Sequence, residues 1–206
     1  MAEHVSAIIE ALAPSGVPSG TSARRATAVT DEHLMAEARG GCDAAFEALM
    51  HRHYRLVANF AARMTGRHDL AGDIAQHAFV TLYDQRRQYR RGARFLPWLY
   101  TIVRRRCARV MKIETRTVSE SWDVPGDEAG PAEAAEDQEL IGALRAALHR
   151  LPERERGAVI MFHYMQWSYD DIAETLGCKP GAARTAACRG RARLRELLVD
   201  FEEDSK

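Results

Sequence analysis

Hydrophobic side chains recur every three or four positions along most of this chain, the spacing that predicts amphipathic α-helices. The pattern predicts a first helix over Asp31–Arg39, with Thr30 as its N-cap. A much longer helix is expected next, capped by Asp43 and stopped by Thr65-Gly66. The positions that define the buried face of the long helix are Phe46, Leu49, Met50, His53, Val57, Phe60, Ala61 and Met64.

A third helix is predicted from Asp69 to about Asp84, and its outward face is mixed in character. Its buried face carries Leu70, Ile74, Ala78 and Leu82. A mixture of apolar and acidic side chains on an outward face is typical of a protein-binding surface, although a single exposed aromatic is also common in proteins that bind nothing there. The mixed face consists of Asp73, Gln76 and His77 beside Phe79, Val80 and Tyr83.

A fourth helix carries a basic stripe that follows a group of aromatic residues. Pro97 suits its first turn, and its basic residues lie four, three and four positions apart, on one helix face. Such a surface is suited to single-stranded or opened nucleic acid, because basic side chains bind the phosphates and aromatic rings stack on the exposed bases. The alternative is that some of the aromatic rings only fill the core. The stripe is Arg105, Arg109, Lys112 and Arg116, and the aromatics are Tyr89, Phe95, Trp98 and Tyr100.

The segment from Trp167 to Leu198 has the pattern of a helix-turn-helix. Ser168 can cap a short helix, with Asp171 reaching back, Gly177 suits the left-handed position after its end, and Pro180 suits the first turn of the next helix. That next helix is rich in arginine. A short helix, a tight turn and a basic second helix form the usual arrangement for placing side chains in a DNA major groove. An ordinary helical hairpin with a solvated basic face is the alternative.

These elements predict an all-α protein of two small helical domains joined by an acidic linker. Strand-like alternation and internal repeats are absent from the sequence. We expect residues 1–29 to be a disordered extension, because proline, glycine and small residues there cannot bury enough apolar surface. The domains are expected at residues 30–116 and 137–199, with the linker at 117–136 and an acidic tail at 200–206.

Net charge is zero, so only the distribution of charge along the chain is informative. Residues 104–116 hold six basic residues against one acid, whereas residues 117–144 hold eight acids and no base. A second basic segment lies in the helix-turn-helix. Two basic patches separated by an acidic segment indicate two sites that contact a polyanion.

Cysteine usage and hydropathy indicate a soluble cytoplasmic protein. Cys42, Cys107, Cys178 and Cys188 form no C-x-x-C pair, and the sequence has neither a signal peptide nor a run of about 20 apolar residues. No catalytic constellation and no set of His and Cys with metal-ligand spacing is evident, so we expect no enzyme activity, no cofactor and no metal.

Four stretches resemble the sigma-70 family of bacterial RNA polymerase sigma factors, of the extracytoplasmic-function type. Residues 69–79 (DLAGDIAQHAF) are similar to the family's D-x-A-x-D-x-x-Q-x-x-F stretch, and residues 95–102 (FLPWLYTI) to its F-x-x-W-L-x-x-I stretch. Residues 151–156 (LPERER) and 168–177 (SYDDIAETLG) resemble its L-P-x-x-x-R and L-S-Y-x-E-I-A-x-x-L-G patterns. Sigma factors of this type keep only the second and fourth sigma domains, which agrees with two helical domains.

The resemblance implies three binding surfaces and a set of partners. Core RNA polymerase would dock on Asp69, Asp73, Gln76 and Phe79. The −10 promoter element would be opened by Tyr89, Phe95, Trp98, Tyr100, Arg105, Arg109, Lys112 and Arg116. The −35 element would be read by Ser168, Lys179, Arg184, Thr185, Arg189 and Arg193. A cognate anti-sigma factor is expected as a further partner, and membrane insertion is not. A stand-alone helix-turn-helix regulator is the alternative function.

The recognition helix departs from the family pattern at several positions. Ala186 stands where an arginine is usual, so we expect one DNA contact to be missing there. Ala183 and Ala187 replace larger apolar residues, which predicts that this helix packs lightly or lies closer to its neighbour. Lys179 replaces a frequent capping serine, and either Arg105 or Arg106 stands near a frequent asparagine.

Overall fold

The computed structural model describes residues 29–117 and 134–204, with side chains described at 29–113 and 142–199. Every regular element in those residues is helical, which confirms the predicted all-α class. The first half contains α1 (Asp31–Arg39), α2 (Asp43–Thr65), α3 (His68–Gln85) and α4 (Phe95–Thr117). The second half contains α5 (Ala134–Arg150), α6 (Glu153–Val159), α7 (Tyr169–Leu176) and α8 (Pro180–Asp204). A single 3₁₀ turn, Arg86–Gln88, follows α3, and a π-helical turn, Ile160–Tyr164, continues α6.

Most helix boundaries agree with the local chemistry of the sequence. The Thr30 hydroxyl accepts a hydrogen bond from the His33 backbone N–H at 3.2 Å, which satisfies one of the open donors of α1. Gly66 ends α2 with φ of 71°, a left-handed conformation that favours glycine. The predicted cap of α2 is wrong: Cys42 is its N-cap residue, and the Asp43 carboxylate instead accepts from the Tyr83 hydroxyl at 2.9 Å.

The helices of the first half enclose an apolar core, which α2 crosses at its centre. Phe60 and Phe95 are fully buried, and the ring of Phe60 meets the edge of Tyr100 at 5.0 Å between centroids. A hydrogen bond joins the start of α1 to α2, where the His53 Nε2 atom and the Asp31 carboxylate lie 2.8 Å apart. Burial raises the pKa of Asp31, but hydrogen bonds and charges from His53 and Arg52 outweigh it and leave the pKa lowered.

The two halves pack against each other, and their buried side chains form one continuous core. Tyr100 of α4 contacts Trp167, just before α7, with ring centroids 5.1 Å apart. Arg156 of α6 is 3% exposed and donates to the Met64 carbonyl at 2.6 Å. The prediction of two helical units therefore holds, but they are in direct contact.

Parts of the predicted organisation lie outside the described residues. These include residues 1–28 of the N-terminal extension and residues 118–133 of the linker. The ends of the predicted linker are helical instead, since α4 continues to Thr117 and α5 starts at Ala134. The backbone of α8 extends through the first part of the predicted acidic tail, to Asp204.

Candidate nucleic-acid and protein interfaces

The outward face of α3 is acidic, and of its predicted apolar residues Val80 is exposed whereas Phe79 is buried. Asp69, Asp73 and Gln76 are exposed, as predicted. Phe79 is only 3% exposed and packs on Phe46 and Tyr54, with ring centroids 6.5 and 6.1 Å away. Its predicted place on the surface is wrong, because the buried stripe of α3 is wide enough to include it.

Two other side chains supply the apolar part of this face. Val80 is 55% exposed. Tyr54 of α2 is exposed as well, and its hydroxyl donates to the Gly72 carbonyl of α3 at 3.4 Å. The Asp69 carboxylate is held by the Arg67 guanidinium at 2.6 and 2.8 Å, and this hydrogen bonding lowers its pKa. The result is a negatively charged surface with a small apolar centre, which we call the α3 face (Tyr54, Asp69, Asp73, Gln76 and Val80).

Most of the aromatic residues predicted to meet bases are core residues in this structure. Tyr89, Phe95 and Tyr100 are buried, so the prediction that their rings are available for stacking is wrong for this arrangement. The Tyr89 hydroxyl donates to the Ala93 carbonyl, and burial raises the pKa of Tyr89 to about 12. Trp98 is the exception, since its ring is partly exposed and lies 5.3 Å from that of Tyr89.

Trp98 lines an open cleft of about 250 Å³ between the loop before α4 and the second half of the chain. Its walls combine apolar surface from Pro97 and Ala93 with the polar groups of Arg90 and Thr101. Glu174 of α7 forms part of the rim. A cleft with an aromatic wall and a nearby arginine can accept a planar, polar group such as a nucleic-acid base.

The basic stripe on α4 is present as predicted. Arg105, Arg109 and Lys112 are exposed on one face of the helix, while the side chain of Arg116 lies outside the described residues. The neighbouring Arg104 does not join them, because it pairs with Glu153 of α6 at 2.6 Å. The stripe gives α4 a positive surface that attracts phosphates.

The helix-turn-helix has the predicted local structure. The Ser168 hydroxyl accepts from the Asp171 N–H at 3.2 Å and donates to the Asp171 carboxylate at 2.5 Å. Gly177 has φ of 63°, and α8 begins at Pro180. The first residues of α8, Pro180, Gly181 and Ala182, are exposed.

The outward face of α8 carries most of the residues predicted to read DNA. Lys179, Arg184, Thr185 and Arg189 are exposed, and the Arg184 guanidinium lies 5.1 Å from the centre of the Tyr169 ring. The last predicted residue, Arg193, is engaged elsewhere and pairs with Glu155 of α6 at 2.9 Å. Arg191, which was not in the predicted set, lies 5.7 Å from the centre of the Phe162 ring and donates to the Cys188 sulfur.

Ala186 does not occupy a DNA-facing position. It is 7% exposed and lies on the inner face of α8 with Ala183 and Ala187, so the predicted missing contact at this position is wrong. The helix lies close to its neighbour at Gly190, where an added Cβ would lie 2.6 Å from the Val159 Cγ2 atom and 3.1 Å from the Glu155 carbonyl. The outer face of α8 is thus free for contacts while its inner face packs tightly on α6.

Within the described ranges, no group of three or more His, Cys, Asp or Glu side chains could hold a metal ion. None of the helices there combines the length and hydrophobicity required to cross a lipid bilayer. The surfaces with functional character are therefore the acidic α3 face, the basic stripe with its cleft, and the outer face of α8. They define a helical protein that binds another protein and nucleic acid.

Comparison with known proteins identifies the family. The model of Sigma-70 region 2 matches residues 49–117, and that of Sigma-70 region 4 matches residues 141–194. RNA polymerase sigma factor CarQ of Myxococcus xanthus is 36% identical over 167 residues, 80% of this chain and 95% of CarQ. ECF RNA polymerase sigma factor SigE of Mycolicibacterium smegmatis is 30% identical over 201 residues, 93% of this chain and 72% of SigE. The chain belongs to the sigma-70 family and is an ECF sigma factor.

Solved structures agree with this assignment. The sigma factor RpoE of Bartonella quintana, solved with the anti-sigma factor NepR, has a TM-score of 0.60 at 25% identity, over 74% of this chain and 96% of RpoE. CnrH, solved with the cytosolic domain of CnrY, shares the fold with a TM-score of 0.65 at 20% identity, over 82% of this chain and 97% of CnrH. The alternative of a stand-alone regulator finds no support, because the family matches cover both halves of the chain.

Proposed function

We propose that this chain joins core RNA polymerase and directs it to promoters by opening the −10 element and reading the −35 element. In this proposal residues 30–116 act as region 2 and residues 137–199 as region 4. The main support for this proposal is that α8 has two different faces. Small, buried residues form its inner face, while the outer side of its N-terminal turns exposes Arg184, Thr185 and Arg189. A helix of this kind enters the major groove with its first turns against base edges.

The α3 face is proposed to dock on core polymerase. Its exposed members of the predicted set are Asp69, Asp73 and Gln76, while Phe79 supports them from beneath by packing against Tyr54. Exposed Val80 supplies apolar contact area at the centre. Acidic residues around a small apolar centre fit a basic partner surface, with the charges steering the encounter and the apolar contact slowing dissociation.

The basic stripe and the Trp98 cleft are proposed to hold the opened −10 strand. Strand opening requires no covalent chemistry, only binding that prefers unstacked bases to duplex DNA, and stacking on an aromatic ring contributes about 1–3 kcal/mol per base. Arg105, Arg109 and Lys112 would follow the phosphates next to the cleft. We therefore infer that the protein acts by binding alone, in the cytoplasm where polymerase and promoter meet.

An anti-sigma factor is proposed as the regulator. Support comes from the two structural relatives, of which one was solved with the anti-sigma factor NepR and the other with the cytosolic domain of CnrY. A protein that covered the α3 face or the outer face of α8 would block the partners proposed here for those surfaces.

Run-off transcription with core polymerase and a randomised promoter library tests the function, because selected templates report the −10 and −35 preferences together. We expect promoter-directed transcripts that depend on this chain. The Arg184→Ala/Arg189→Ala variant should lose discrimination at −35 while keeping −10-dependent opening. A lost bidentate arginine contact costs about 1–3 kcal/mol, or roughly 5- to 150-fold in preference for the correct base.

Arg195→Ala is the matched control, since Arg195 is exposed on the same helix about 16 Å beyond Arg184. It removes one positive charge, as each single change of the double variant does, but should leave −35 preference unchanged. Unaltered −35 dependence in the double variant would refute the roles of Arg184 and Arg189. Failure of the wild-type chain to support any promoter-directed transcript would refute the function itself.

A further inference from the structure

The residues that lead into α4 cannot cap it, and a carboxylate from α1 does so instead. Ala93 and Arg94 carry no side-chain oxygen that could accept a hydrogen bond from the first N–H groups of the helix. The Phe95 backbone N–H, the first of α4, donates to the Glu32 carboxylate of α1 at 3.2 Å. A carboxylate at this place satisfies an open donor and interacts favourably with the helix dipole. Glu32 therefore stabilises the point at which α4 begins.

A second contact joins α1 to the other end of the same loop. The loop runs from the 3₁₀ turn Arg86–Gln88 to Phe95. The Arg39 Nε atom donates to the Arg87 carbonyl at 3.3 Å. Glu32 and Arg39 are seven positions apart, so they share one face of α1 and lie about 10.5 Å apart along its axis. One helix face thus binds both ends of the loop, with an acceptor opposite a backbone donor and a donor opposite a backbone acceptor.

Between these ends the loop is closed by its own hydrogen bonds. The Ala93 N–H donates to the Arg90 carbonyl at 3.0 Å, across a turn in which Gly92 has φ of 83°. The hydroxyl of buried Tyr89 donates to the Ala93 carbonyl. Burial is the main reason that the pKa of Tyr89 is raised to about 12, and the nearby charge of Glu32 contributes. The loop is therefore well defined internally, and its attachments determine where it lies.

This loop forms one wall of the Trp98 cleft. Trp98 itself lies in the first turn of α4, and its ring is 5.3 Å from that of Tyr89. The loop residues that line the cleft are Gln88, Tyr89, Arg90 and Ala93. A binding site works only when supporting contacts hold its parts within about 0.5 Å of the productive geometry. The position of the loop relative to the start of α4 therefore sets the shape of the cleft.

We propose that α1 positions the proposed −10 site, with Glu32 as the cap of α4 and Arg39 as the second anchor of the loop. Both are positioning residues, because they act through the backbone of Phe95 and Arg87 and not by contact with DNA. The inference rests on the proposed function, since the cleft that they shape is the one proposed to hold opened bases. Without the cap, the first turn of α4 frays and Trp98 loses its fixed distance from the loop.

The first arm of the test measures the cap in the free, full-length chain. Arg94-Phe95 is the only Arg-Phe pair in the sequence. Labelling with carbonyl-¹³C arginine and ¹⁵N phenylalanine therefore gives a single NMR amide signal, that of Phe95. Its exchange with solvent should be about 3- to 30-fold faster in Glu32→Ala, the factor expected from loss of a helix cap. Glu32→Gln keeps an oxygen acceptor and should exchange within about twofold of the wild type.

The second arm measures −10 opening with core polymerase at a saturating concentration of this chain. Permanganate reactivity of unpaired −10 thymines should show opening slowed by a similar factor in Glu32→Ala. Arg39→Ala should have a smaller effect, because its exposed hydrogen bond is long. Affinity for core polymerase and −35 preference should not change in either variant, since neither residue belongs to the α3 face or to α8.

Glu37→Ala is the matched control. Glu37 is exposed on the same helix, and its carboxylate pairs with His33 of α1 at 3.4 Å. The variant removes the same charge as Glu32→Ala, and it should change neither the exchange of the Phe95 amide nor −10 opening.

Three results would overturn the positioning role. The first is exchange of the Phe95 amide that Glu32→Ala leaves unchanged, or that Glu32→Gln accelerates as much. The second is faster exchange with −10 opening unaltered. The third is a defect in opening that Glu37→Ala shares, or that a parallel loss of affinity for core polymerase explains. Exchange is measured on the free chain and does not depend on the proposed function, whose failure would be seen as the absence of wild-type transcripts.

Discussion

Gly190→Ala tests whether the close approach of α6 and α8 sets the stability of the second half. In a helix interior this substitution usually stabilises a protein by about 0.5–1 kcal/mol, because alanine loses less backbone entropy on folding. At position 190, however, the new methyl group would lie 2.6 Å from the Val159 Cγ2 atom and 3.1 Å from the Glu155 carbonyl oxygen. Val159 is buried, and the carbonyl belongs to the backbone of α6, so neither can move without shifting that helix.

The expected sign is therefore reversed. Overpacking a well-packed core costs about 1–3 kcal/mol. After subtraction of the propensity gain of about 0.5–1 kcal/mol, Gly190→Ala should lower the free energy of unfolding by up to about 2.5 kcal/mol. Gly142→Ala is the matched control, because Gly142 lies in α5 with nothing within 4 Å of the added Cβ. That variant should be neutral or stabilised by up to about 1 kcal/mol.

Urea denaturation followed by helical circular dichroism measures both variants. Val159→Ala in the Gly190→Ala background removes the closest atom, so the double variant should lose less stability than the sum of the single changes. If Gly190→Ala were as stable as Gly142→Ala, α6 and α8 would be free to move apart, and the tight packing inferred for the inner face of α8 would be incorrect.

Two further predictions concern the same half of the chain. Ser168→Ala removes both hydrogen bonds between Ser168 and Asp171 and should cost about 0.5–2 kcal/mol in urea denaturation, whereas a loss below about 0.3 kcal/mol would show that the cap is not formed. His149 and His163 both have a pKa lowered to about 4, chiefly by burial and also by the charges of Arg156 and Arg191 respectively. In the unfolded chain these two imidazoles become protonated below about pH 6.5, whereas in the folded chain they stay neutral down to about pH 4. The free energy of unfolding should therefore fall between pH 6.5 and 4, by at most about 1.4 kcal/mol per pH unit for each histidine. The His163→Asn variant should show a shallower dependence, and an unchanged slope in pH-resolved urea titrations would contradict the assignment.

Local chemistry in the sequence determined the secondary structure and the exposed stripes. Residues that cap or end helices act within one helical turn, so their effect can be predicted without knowledge of the fold. This holds here for Thr30, Ser168, Gly66, Gly177 and Pro180. The basic stripe of α4 was likewise predictable, because residues three or four apart must share a helix face. Local chemistry was insufficient at Asp43, which was predicted to be an N-cap. Its carboxylate instead accepts a hydrogen bond from Tyr83, a residue 40 positions away.

Tertiary packing decided which faces of the helices remain accessible. Periodicity orients one side of a helix toward a core but does not show how many neighbours the helix has, and α3 and α4 each contact several. Phe79 and Tyr100 were therefore buried where the pattern left them available, and Ala186 turned inward with its neighbours on α8. The pairing of Arg94 with Glu174 joins residues 80 positions apart. No local rule encodes such a contact, since it exists only once two separately patterned helical units have packed together.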